Sequence, residues 1–81
     1  MIKAFGYERE SEKLLELEET SIQCTIKELE EIIEFLQTVK DSHEKVVNKT
    51  EMCHSHFRDW SRSWTREESD IIIVTKNQYI N

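Results

Sequence analysis

Thr25-Ile26-Lys27-Glu28-Leu29-Glu30-Glu31-Ile32-Ile33-Glu34-Phe35-Leu36-Gln37-Thr38-Val39 opens the stretch that decides the fold, and the same pattern runs on to Val47. Thr25 followed three residues later by Glu28 has the form of a capping box. The Thr hydroxyl can accept from the backbone N–H three residues on, and the Glu carboxylate can reach back. Leu29, Ile32, Leu36 and Val39 then recur at 3-4-3 spacing, and Val46 continues the phase with His43 between. This predicts one apolar stripe on a helix of about five turns. The other faces carry Lys27, Glu28, Glu30, Glu31, Glu34, Lys40, Asp41, Glu44 and Lys45, so the helix surface is mainly acidic. The spacing also fits a coiled-coil seam. With only about three heptads, and Ile33 and Val47 widening the stripe, packing on a sheet is the better reading. If the stripe is core, Leu36→Ala costs about 2–5 kcal/mol.

On both sides of the helix the pattern changes to short β-like runs. Ile2 to Tyr7 alternates, and Glu8 to Lys13 is a charged loop. Leu15-Glu16-Leu17 alternates, slips at Glu18-Glu19, and resumes at Thr20, Ile22 and Cys24. A one-residue slip is what a β-bulge produces, so these runs predict a kinked hairpin. Asn48-Lys49-Thr50 is a polar break, Met52 to Trp60 reads as strand three, and Ile71 to Thr75 reads as strand four. Ile71-Ile72-Ile73-Val74 does not alternate, which predicts an inner strand or one whose outer face meets a partner. The order ββαββ predicts an α+β, two-layer domain over residues 1–81: a four-stranded, mainly antiparallel sheet with one long amphipathic helix on one face. The opposite sheet face has no cover of its own and is a candidate contact surface.

Composition bounds the function. The 81 residues carry 11 Lys/Arg and 17 Asp/Glu, a formal net charge of -6. Residues 1–51 hold 7 Lys/Arg and 13 Asp/Glu, while residues 52–81 hold 4 of each. An acidic face repels nucleic acid and anionic membranes and attracts basic proteins; ordinary solubility is the plainer explanation. No apolar run approaches a membrane span and no secretory signal is visible, so the sequence predicts a cytoplasmic protein. Cys24 and Cys53 form no CxxC pair and read as reduced, buried thiols, with a disulfide as the alternative. The single Gly excludes a glycine-rich phosphate loop.

His54-Ser55-His56 is the cluster closest to chemistry. Strand spacing puts both imidazoles on one face, where they could share a metal ion. Zinc needs three or four ligands, and no third is apparent, so a polar strand face without a cofactor is the expectation. His54, His56, Arg58, Trp60, Arg62, Trp64 and Arg66 occupy alternate positions. Basic residues interleaved with aromatics can follow a phosphate backbone, but the net charge opposes this. Trp and Arg are also enriched at protein-binding hot spots, and two tryptophans can simply pack a domain edge. No nucleophile elbow or catalytic carboxylate pair is present, so the chain is not expected to be an enzyme.

The opening Met1-Ile2-Lys3-Ala4-Phe5-Gly6-Tyr7, the acidic helix, the run His54-Ser55-His56-Phe57-Arg58-Asp59-Trp60 and the segment Ser69-Asp70-Ile71-Ile72-Ile73-Val74 together resemble small immunity proteins of bacterial polymorphic toxin systems. The resemblance is nearest to the immunity protein 32 group. It implies an α+β domain that binds and blocks a cognate toxin domain without catalytic residues. The residues expected to touch that partner are Glu30, Glu34 and Asp41 on the helix, with Arg58, Trp60, Arg62 and Trp64 beyond it. The competing readings are a homodimeric structural domain, joined through the uncovered sheet face, and a metal-binding protein using His54 and His56.

Overall fold

The computed structural model describes residues 1–46 and 52–76. Along the chain these form β1 (Ala4–Gly6), β2 (Leu15–Leu17), α1 (Ile26–Glu44), β3 (Cys53–His56), α2 (Phe57–Trp60) and β4 (Ile72–Thr75). The fold is α+β, with one long helix.

The capping box sets the start of α1. Glu28 N–H donates to Thr25 Oγ1 at 3.1 Å, and Thr25 N–H donates to Glu28 Oε1 at 2.7 Å. The Thr25 backbone donor, helped by its hydroxyl, holds the Glu28 carboxyl below the usual carboxylate range. Farther along, Lys40 pairs with Glu44 and Gln37 with Asp41, each one turn apart.

The buried face of α1 is rotated from the expected stripe. Ile32, Phe35 and Val39 are buried, and Phe35 is only 1% exposed. Leu29 and Leu36 are 43% and 42% exposed, so neither is a core residue. The cause is Phe35. At about 100° per residue it lies some 40° beyond Val39, on the side away from Leu36. Its ring carries the largest apolar area in the helix, so burying it turns that side inward. Val46 is half-buried, whereas Val47 and the polar break Asn48-Lys49-Thr50 lie outside the described residues.

The strands form two separate antiparallel ladders among the described residues, where one four-stranded sheet was expected. Ala4 faces Leu17 and Gly6 faces Leu15 in the first; Cys53 faces Thr75 and His56 faces Ile72 in the second. The first hairpin is short because β2 stops at Leu17. Residues 18–25 form no strand and are exposed, so the expected bulged continuation to Cys24 is not made. A three-residue ladder offers too little paired edge to join a second sheet.

Strand three also ends early, at His56, and Phe57–Trp60 turns into α2. One helical turn puts Phe57 and Trp60 on the same side, facing Phe35. Phe35 meets Phe57 edge-on at 5.3 Å and Trp60 at 5.7 Å between ring centroids. An extended chain would send neighbouring side chains to opposite faces and lose this cluster. Ile32, Phe35, Val39 and Phe57 form the core, and Trp60, Trp64, Ile71 and Ile73 pack against it.

In β4 burial alternates: Ile73 faces the core, while Ile72 and Val74 are exposed. Among the described residues β4 pairs with β3 alone, so the inner-strand expectation is not met. Cys24 is exposed and Cys53 is half-buried; both are free, so only Cys53 approaches the expected burial. Among the described residues Ile2, Phe5, Tyr7, Ile22, Ile26, Ile33, Met52 and Val74 are more than half exposed. Much apolar area is left uncovered by so small a core. Among the described residues no helix is long and apolar enough to cross a membrane.

Candidate functional site

A shallow groove of about 340 Å³ runs between α1 and the β3–α2 corner. Phe35 and Val39 form its floor, Thr38 and Ser42 one wall, and His54, His56, Asp59 and Trp60 the other. It exists because β3 turns into α2 at Phe57, which swings Trp60 back toward the helix.

The histidines share a face of β3, as strand spacing predicts. Their rings meet edge-to-face at 5.7 Å. His56 is held by Asp70: its Nδ1–H donates to Asp70 Oδ2 at 2.7 Å. Asp70 Oδ1 accepts from the backbone N–H groups of Arg58 and Ile71, each at 2.9 Å. One carboxylate therefore caps α2 from a distant position, anchors the start of β4 and orients an imidazole. Sequence reading gave Asp70 no such role; its only signal was a lone acid before an aliphatic strand.

His43 is a second polar joint. Its Nδ1 bonds Thr75 Oγ1 at 2.8 Å and its Nε2 bonds Ser55 Oγ at 2.9 Å. Ser55 beside a histidine has the outline of an activated nucleophile. The third position, however, holds a hydroxyl where a triad uses a carboxylate to stabilise the imidazolium. With one bond to each strand of the second ladder, His43 pins the end of α1 to that ladder. Among the described residues no group of three or more His, Cys, Asp or Glu is placed to hold a metal ion.

The residues expected to bind a partner fall in two places. Glu30, Glu34 and Asp41 are exposed and lie within about 40° of one another around α1, opposite the buried face. No ion pair holds Glu30 or Glu34 among the described residues. Trp60 and Trp64 pack against the core, while Arg58 on α2 and Arg62 in the loop after it are exposed. The even-numbered alternation from His54 to Arg66 forms neither one strand nor one helix, because the chain turns at Phe57 and leaves α2 at Ser61. Arg58 lies 3.8 Å from Asp70 and 3.9 Å from Asp59, and Arg62 is exposed. Both tryptophans are half-buried, and Trp64 Nε1–H donates to Ser69 O at 3.0 Å. Packing thus accounts for much of both rings. The acidic row and the Trp/Arg segment do not converge on one surface.

Compared with known proteins, the chain matches no family model, no curated protein and no solved structure.

Proposed function

We propose that this chain is a non-catalytic immunity protein that binds a cognate bacterial toxin domain in the cytoplasm and blocks it. The observation that carries the reading is the solvent-facing acidic row of α1. Glu30, Glu34 and Asp41 face solvent opposite the core, in the part of the chain that holds the whole acidic excess. Toxin domains that act on nucleic acid carry basic clefts. An acidic row steers association with such a surface and lends it specificity. The sequence resemblance points the same way, and the polar joints at His43 and Asp70 are accounted for by structural work.

The reading expects a toxin domain encoded beside this gene, and co-expression with that domain is the test. Cells carrying both survive, and cells carrying the toxin alone do not. Death of the co-expressing cells, with the chain present and folded, would refute it.

A further inference from the structure

The long helix carries a second apolar row that stands outside the core formed by the described residues. Ile26, Leu29, Ile33 and Leu36 recur at 3-4-3 spacing, about 100° around α1 from the buried row. Ile26 and Ile33 are 74% and 58% exposed. Nothing in the helix itself calls for these residues. Isoleucine is an indifferent helix former, and Glu or Lys would serve exposed positions better. Four large aliphatic groups in one line form a patch of the kind that soluble monomers seldom expose without use. Residues at i, i+3, i+7 and i+10 are also the anchors of a helix laid in a partner's groove.

We infer that this row is the anchor of the toxin complex, seated in an apolar groove of the toxin domain whose rim is basic. The inference rests on the immunity reading and moves the anchor from the Trp60–Trp64 segment to α1. Charge complementarity selects the occupant. The acidic row of Glu30, Glu34 and Asp41 runs alongside the aliphatic one, on the flank away from the core. A groove that takes Ile26, Leu29, Ile33 and Leu36 therefore meets carboxylates along one edge, and positive groups there are favoured. A second copy of the chain is a poor occupant. It brings the same acidic row and a net charge of -6, and two-fold antiparallel pairing of the helices sets like charges side by side.

The test uses the full chain and the toxin domain encoded beside its gene, with affinity and rates read by surface-immobilised binding. Ile33→Asp is the central variant, because its exposed position lets the fold survive; circular dichroism confirms the helix. The expected result is an affinity at least about 30-fold weaker, chiefly through faster dissociation. Glu30→Lys with Glu34→Lys is expected to slow association about tenfold and flatten its salt dependence. A folded Ile33→Asp variant with unchanged affinity overturns the inference and leaves the immunity reading standing. No binding by the unmodified chain removes both. A stable homodimer that Ile33→Asp dissolves also overturns the inference, since a second copy then covers the row.

Discussion

Phe35→Ala is the substitution to which this fold is most sensitive. The side chain is 1% exposed and its ring touches both Phe57 and Trp60, the two groups that α2 brings inward. Truncating a fully buried phenylalanine costs about 3–5 kcal/mol, and that figure includes the two ring contacts at about 0.5–1.5 kcal/mol each. A domain of this size without crosslinks holds about 3–5 kcal/mol in reserve. Phe35→Ala therefore leaves most of the chain unfolded at 25 °C. Phe35→Leu loses less area and keeps a measurable transition, with a cost of about 1–2 kcal/mol. Leu36→Ala, one residue along, removes a side chain that is 42% exposed. It costs about 1 kcal/mol or less, since alanine returns a few tenths in helix propensity. Urea denaturation followed by tryptophan fluorescence measures all three, because Trp60 reports directly on the cluster. Equal costs for Phe35→Ala and Leu36→Ala would refute the assignment of the buried face.

Asp70→Ala removes the acceptor shared by His56 and two backbone N–H groups, and destabilises by about 2 kcal/mol in the same assay; Asp70→Asn, which keeps one oxygen for the backbone, costs less. Thr25→Ala breaks the capping box and costs about 1 kcal/mol. The Glu28 carboxyl is held below its ordinary value of 4.5, so its contribution is present above that pH and is lost as the pH falls through the lowered folded-state value. Glu28→Gln will therefore flatten the acid limb of the stability profile, as read by thermal melts from pH 6 down to about 2. Elemental analysis of untagged protein will find no stoichiometric zinc at His54 and His56; one equivalent per chain would overturn that expectation.

The helix was legible in the sequence because its signals are local. Thr25 and Glu28 are three residues apart, and the capping box forms as written. The choice of buried face was not legible in the same way. Leu29, Ile32, Leu36 and Val39 make a regular stripe, but burial follows the largest ring, and Phe35 finds its partners some twenty residues later. The turn at Phe57 depends on Asp70, whose carboxylate reaches back twelve residues to the Arg58 N–H. Nothing near Phe57 announces that contact. The strand spacing of His54 and His56 was read correctly from period alone. How the acidic row lies relative to the Trp/Arg segment depends on the rotation of α1 about its own axis, which local spacing does not give. That rotation also exposes Ile26, Leu29, Ile33 and Leu36 as a separate row.

Isothermal titration of the purified chain into the toxin domain encoded beside its gene, with the toxin's activity followed in the same samples, tests the central claim most directly. A one-to-one complex is expected, with an affinity that weakens as salt rises and loss of toxin activity at equimolar inhibitor. No heat of binding, with a toxin that works undiminished in the presence of folded chain, would contradict it.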